Sequence, residues 1–432
     1  RGQADRAVSL CRRGLTLVGP DAAVEALQLL DLLARTWIET SEFDEAERCL
    51  ADQLRYAAII EDDARVGRAH TVLAEVLRDR GRFEQSSAHL DAALSLFARL
   101  DDPAGRADAL EAQGLLFARQ GHRGALSLAI DVVREALTLR SGQPLARART
   151  LAVMANLLYS TGQIEEAIEQ HREALNIRES AGDRRGQMLS LNGLGVARYD
   201  NGQHDDAIAL WQQALGIADQ LGDRAQRVML LMNLGEARLA TGHLQDAQPA
   251  IQEAVDTAKA LGLQRLHGLA LALLSSLELA GGAEARALEL ADAAVDLAHS
   301  IDSQEVLGQA LLARARSLSN ALFIADQEGD DRMDRASECY QKAITLLEEM
   351  GERPTLVRAL DAYGSFLLER GVMDKGRKAI ERAEELRGEM RSPEQQERVF
   401  HEARTIRRTY PTGPVAAADI ELMLDLVDRR RK

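Results

Sequence analysis

The sequence predicts an all-α fold, an α-solenoid of about nine antiparallel helix hairpins closed by C-terminal capping helices. Three observations carry this: a turn residue recurs every 40 positions or so, small side chains stand at fixed distances around it, and the composition suits continuous helix. The turn residues are Ser41, Gly81, Gly121, Gly162, Gly202, Gly242, Gly282 and Gly371, separated by 40, 40, 41, 40, 40, 40 and 89 positions. The last gap is two periods with about nine residues added, so the array continues through it. Aromatic residues make up only 3%, while alanine, leucine, arginine and glutamate dominate.

The small residues form three registers. Five positions after the turn residue stand Ala46, Ser86, Ala167, Ala207, Ala247, Ala287 and Gly376; twelve after it stand Ala93, Ala174, Ala214, Ala254, Ala294 and Ala383. Seven before it stand Ala34, Ala74, Gly114, Ala155, Gly195, Gly235, Ser275 and Gly364. Helix axes about 8–10 Å apart leave no room for a branched side chain at the crossing. Glycine inside a helix costs about 1 kcal/mol against alanine, so its recurrence points to contact between the two helices of one hairpin. Leu90, Trp211, Ile251 and Ile380, nine after the turn residue, supply the bulk that fills the groove.

At the start, Gly2 precedes Ser41 by 39 positions, so Arg1–Ala7 reads as the turn of a hairpin whose first helix is missing. A piece of a longer polypeptide is expected. Between hairpins, Gly182-Asp183 and Gly222-Asp223 read as a helix-ending glycine followed by a capping aspartate. Asp62-Asp63 and Asp101-Asp102-Pro103 take the same role, and Gly351 with Pro354 repeats it. After Gly121 the next small residues, Ala129 and Ala136, come three positions late, which assigns His122-Arg123-Gly124 to a lengthened turn.

A longer insertion is expected near 316–333: a first helix from Gln304 toward Ala325, then an acidic loop, Gln327-Glu328-Gly329-Asp330-Asp331, before Ala336, Tyr340 and Ala343 restore the pattern. The array is thus assigned to 1–391. In 392–432, Ser392-Pro393-Glu394-Gln395 starts a polar helix, Pro411 to Pro414 break it, and Ile420, Met423, Leu424 and Val427 of a last helix cover the final hairpin. Arg429-Arg430-Arg431-Lys432 close the chain as a basic tail.

The formal charge of −15 argues against nucleic acid or an anionic membrane as partner, since phosphate binding relies on a positive surface. The most apolar run, Leu269 to Ala280, is too short to span a bilayer and contains Glu278. Cys11, Cys49 and Cys339 are odd in number and far apart, which fits buried thiols in a reducing cytoplasm. No cofactor or metal is expected. Gly371 to Lys378 lacks the hydroxyl residue and preceding strand of a phosphate loop, the histidines show no metal-binding helical spacing, and no nucleophile motif is present. His122, His204 and His243 recur beside the turn as an exposed row. Enzyme activity is not expected within this stretch.

In Leu191–Gly222, the order Leu194-Gly195, Gly202, Ala207, Trp211, Ala214 resembles the tetratricopeptide repeat, and the likeness extends over nearly the whole chain. The period is 40 rather than 34, as in longer-helix members, and the prolines that end the family's units are mostly missing. The resemblance implies a right-handed superhelix with a concave groove lined by the first helices, binding a protein or peptide, with positions two, five, nine and twelve of each hairpin facing inward. Carried over, these give the partner-binding candidates Arg68, Glu75, Arg78, Asp108, Glu111, Arg149, Asn156, Tyr159, Asn192, Tyr199, Met229, Met232 and Glu236. Thr71, Leu115, Val196, Leu239, Leu269, Ala272, Ser276 and Leu279 occupy the same registers, Leu269 to Leu279 being read first as core. The lysine-asparagine clamp by which some members hold C-terminal carboxylates is not matched.

The role so implied is a non-catalytic protein-interaction scaffold. Its Gly-Asp-Arg-x-Gly linkers and arginine usage look like the repeat regions attached to bacterial serine/threonine kinases and multidomain regulatory ATPases, making it a sensor or regulatory arm contacting a peptide or other domains of the same polypeptide. Two other readings stay open: a peptide-pheromone-responsive regulator whose DNA-binding or effector domain lies elsewhere, and the recognition arm of an enzyme with an upstream catalytic domain.

Overall fold

In the computed structural model, described over residues 2–18, 22–40, 42–120, 124–320, 328–351 and 353–390, every regular element is an α-helix. Two units divide the chain, Arg1–Leu157 and Leu158–Lys432. In the first, α1 (Gly2–Leu17) precedes the hairpins α2–α3 (Ala23–Glu39, Phe43–Ile59), α4–α5 (Asp63–Asp79, Phe83–Arg99) and α6–α7 (Pro103–Gln120, Ala125–Thr138). The boundary falls inside α8 (Pro144–Ser160). The second unit continues with α9 (Ile164–Ser180) and the hairpins α10–α11 (Arg184–Asp200, His204–Leu221), α12–α13 (Arg224–Ala240, Leu244–Leu261) and α14–α15 (Gln264–Ala280, Glu284–Ser300). It ends with α16–α17 (Gln304–Asn320, Glu328–Met350) and α18–α19 (Arg353–Glu369, Met373–Met390).

The turns form where the sequence places them. Gly81, Gly162, Gly202, Gly242, Gly282 and Gly371 all have positive φ, between 71° and 85°, a conformation glycine adopts without steric cost. At Gly202 the chain reverses through two bonds, Gly202 N to Tyr199 O at 2.9 Å and Gln203 N to Arg198 O at 2.9 Å, which satisfy carbonyls left open at the helix end. Between hairpins the aspartates cap as expected: the carboxylates of Asp62, Asp102, Asp183 and Asp223 accept from the amides of Arg65, Gly105, Gly186 and Gln226 at 2.9–3.1 Å.

The small registers are buried at the helix crossings. Ala46, Ser86, Ala167, Ala207, Ala247 and Ala287 have no exposed surface. A Cβ on Gly195 would meet the Trp211 ring at 2.5 Å, one on Gly235 would meet Ile251 at 2.4 Å and one on Gly364 Ile380 at 2.5 Å. Each glycine therefore receives the bulky residue of its own hairpin. Gly114 receives Val133 at 2.5 Å, three positions beyond the usual place. This is the signature of the lengthened turn, and Gly124 (φ 88°) leads into α7. Cys11, Cys49 and Cys339 are buried free thiols.

Two expectations are corrected. His204 is half-buried rather than part of an exposed row, its ring centroid 5.0 Å from that of Tyr199. The acidic segment Glu328–Asp331 is the first turn of α17 rather than a loop. The α16 helix ends at Asn320. Ser41, Gly121, His122, Arg123, the segment 321–327 and the C-terminal helices and basic tail of 392–432 lie outside the described residues. Among those described, no helix is long and apolar enough to cross a membrane.

Candidate functional site

First helices of successive hairpins pack on one another in each unit, α4 on α6, and α10, α12, α14, α16 and α18 in sequence; no pair of second helices does so to the same extent among the described residues. The first helices are thus drawn together on one side. In the second unit they enclose a cavity of about 420 Å³ lined from α10, α12, α14, α16 and α18, with Leu347 and Met350 of α17. This volume falls in the range of small-ligand sites, roughly 300–1,000 Å³.

Of the residues the repeat registers single out, Tyr199, Met232 and Glu236 line this cavity, as do Leu239, Leu269, Ala272 and Ser276. The apolar positions of α14 therefore serve the cavity wall as well as the core, where Leu269 also packs. Met229 is half-buried against that core instead. Asn192 is joined to Asn233 by an amide–amide bond, Nδ2 of Asn233 donating to Oδ1 of Asn192 at 2.8 Å. The Tyr159 hydroxyl donates to Asp200.

Across the cavity Arg358 of α18 donates to Glu236 of α12 at 2.9 Å, a contact spanning 122 positions. Both side chains keep about two fifths of their surface open (40% and 42%), so the pair is hydrated and its Coulomb energy screened. Burial draws the Arg358 pKa down, but Glu236, Asp200, Tyr199 and Tyr159 outweigh it and the net direction is up. Burial, then Glu236, pushes the Tyr199 phenol up to about 12. It stays a neutral hydroxyl at physiological pH.

The first unit treats its register residues differently. Asp108, Glu111 and Arg149 bind one another: Arg149 donates to both carboxylates and Thr150 donates to Glu111 at 2.7 Å. Arg140, with 1% of its side chain exposed, donates to Asp108 at 2.7 Å and to Thr150 at 3.2 Å. Glu111 is itself 8% exposed. Such a set, mutually paired around the buried Arg140, Glu111 and Thr150 while Asp108 and Arg149 stay partly open to solvent, holds helices rather than offering free charge. Beside it Glu75 is pushed up to about 7, by burial first, with Arg78 opposing and Glu111 and Asp79 adding. Arg78 is bound to Asp79 at 2.8 Å. Arg68 lines a separate cavity of about 300 Å³ between α2, α3 and α4, and Asn156 is exposed on α8.

Sequence reasoning missed Arg140, Asn233, Gln309, Arg316 and Arg358. A signal for part of this exists. Asp108–Arg149, Tyr159–Asp200 and Asn192–Asn233 are each 41 apart, one period plus one, so complementary side chains at that separation form rungs between neighbouring first helices. The α16 lining residues Glu305, Gln309, Leu312, Ala313 and Arg316 fall on one helical face by spacing. Among the described residues no group of three or more His, Cys, Asp or Glu is placed to hold a metal.

Tetratricopeptide-repeat profiles match residues 147–181 and 186–260. These hairpins are tetratricopeptide repeats. Outside the matched residues the same turn glycine recurs at Gly81, Gly282 and Gly371, and the same aspartate cap at Asp62 and Asp102. In fold the chain is similar to a Rap protein crystallised in complex with competence and sporulation factor (TM-score 0.63, 16% identity, 85% of this chain and 99% of that one). It is also similar to aspartyl phosphate phosphatase F from Bacillus subtilis (TM-score 0.56, 15% identity, 82% and 92%) and to RapI in its apo form (TM-score 0.51, 15% identity, 65% and 97%). No curated protein is significantly similar in sequence.

Proposed function

We propose that this chain is a non-catalytic tetratricopeptide scaffold whose second unit binds a peptide segment along the inner faces of α10, α12, α14, α16 and α18, as the sensor or regulatory part of a bacterial signalling protein. The observation that carries this is the cavity those helices line, in which apolar side chains such as Met232, Leu269 and Leu273 alternate with Tyr199, Asn233, Gln309 and Thr355, a mixture that can take up side chains and orient a backbone. The Asn192–Asn233 pair supplies amide donors and acceptors suited to a peptide backbone. Tyr199 adds a rigid surface, and Met232 adapts to varied shapes.

The fold likeness to a Rap protein solved with competence and sporulation factor favours a second reading, a peptide-responsive regulator in which occupancy changes how successive hairpins lie. Both readings share the site and differ in the output. Panning a random peptide display library on the full chain tests the shared part. Enriched sequences should lose binding to Asn192→Ala and Tyr199→Ala variants of unchanged helicity. Absence of enrichment, or enrichment indifferent to both substitutions, would count against the cavity as the binding site.

A further inference from the structure

We propose that Arg316 makes the cavity of the second unit selective for a peptide carrying a carboxylate among apolar side chains; this rests on the peptide-binding reading. Four charged residues line the cavity: Glu236, Glu305, Arg316 and Arg358. Three are neutralised within the fold. Arg358 is paired with Glu236 at 2.9 Å, with Asp200 adding to its anionic surroundings. Glu305 receives Arg265 on both oxygens, at 2.7 and 2.9 Å. Arg316, half-buried on α16, has no carboxylate within ion-pair distance among the described residues.

A guanidinium at the cavity wall with no carboxylate partner among the described residues has a definite preference among ligands. An apolar group laid against it removes water from the cation and returns nothing, and a neutral carbonyl returns a single uncharged acceptor, whereas a carboxylate accepts two parallel N–H bonds in the geometry the guanidinium presents. The apolar part of the wall specifies the company the carboxylate keeps: Met232, Leu269, Leu273, Leu312, Leu347 and Met350 favour apolar neighbours. The overall charge of −15 works against polyanions, so one carboxylate in an apolar context satisfies both the local cation and the acidic protein around it.

The carboxylate comes from an acidic side chain or from a free peptide terminus, and affinity measurements on the full chain separate the two. A synthetic positional-scanning hexapeptide library is prepared in three forms: glutamate at the scanned position with an amidated C-terminus, glutamine there with an amidated C-terminus, and glutamine with a free C-terminus. The glutamate form, or the free-terminus form, should bind about tenfold more tightly than the neutral form, the scale of a charge-assisted bond. Arg316→Gln should erase that difference while leaving the neutral form unchanged, and Arg316→Lys should keep part of it. Equal affinity of charged and neutral forms, or a preference that survives Arg316→Gln, overturns the role of Arg316 and leaves peptide binding intact. Binding of none of the three forms overturns the peptide reading, and the carboxylate with it.

Discussion

At Gly195 a hydrogen atom is all that fits: the Trp211 ring, 2% exposed, occupies the place of a Cβ, and its Nε1 donates to the Asn192 carbonyl at 3.3 Å. Gly195→Ala should therefore destabilise by about 1–3 kcal/mol, read from chemical denaturation. Gly216, inside α11, has nothing within 4 Å of a Cβ and no positive φ. There alanine should stabilise by roughly 0.5–1 kcal/mol through helix propensity alone. Two glycines only 21 positions apart thus respond with opposite sign, and equal responses would refute the assignment of small residues to crossings.

His171 gives a residue-scale pH dependence. Its ring, 3% exposed, lies against Gly193, and burial first, then Arg178, lowers its pKa to about 4. Because the folded value lies below the unfolded one of about 6.5, the unfolded state takes the proton first as pH falls. Stability should drop between about pH 6.5 and 4, by up to about 3 kcal/mol. Glu75 acts oppositely, since its raised value near 7 makes the native state hold its proton longer, so stability falls as pH rises from about 4.5 to 7. The two partly cancel in the wild type. Stability-versus-pH curves of His171→Leu and Glu75→Gln should separate them, the first losing the acid-side decline and the second the neutral-side one.

At the scale of the element, hairpin existence and register were readable because each depends on contacts a few turns apart. A glycine at positive φ, a capping aspartate and a small residue facing a bulky one are all local sequence events. The acidic start of α17 was misread because Glu328, Asp330 and Asp331 suit a solvated loop and a helix N-terminus equally well. The Glu236–Arg358 pair belongs to this scale too, since it joins α12 to α18. Its half-open side chains limit it, so a double-mutant cycle with Glu236→Ala and Arg358→Ala should give a coupling of about 0.2–1 kcal/mol, weaker in molar salt. A coupling of several kcal/mol would show the pair to be far more desolvated than its exposure indicates.

For the whole molecule, stability should behave as a sum of hairpins and their nearest-neighbour contacts. Replacing Ala207, which has no exposed surface, by leucine overpacks the α10–α11 hairpin. Amide exchange should quicken in α10–α13 and stay at wild-type rates in α2–α5; uniform loss of protection would mean a single cooperative core. The sequence by itself determined the helix pairs, their turns and the crossings at which small residues meet bulky ones, because those depend on spacings within one period. Only the tertiary structure decided which inner-face side chains remain available. Asp108, Glu111 and Arg149 are consumed by rungs and by the buried Arg140, while Arg316 is left facing the cavity. The physical reason is distance along the chain: the stacking of hairpins accumulates over several periods before Arg358 reaches Glu236, and no local pattern encodes that sum.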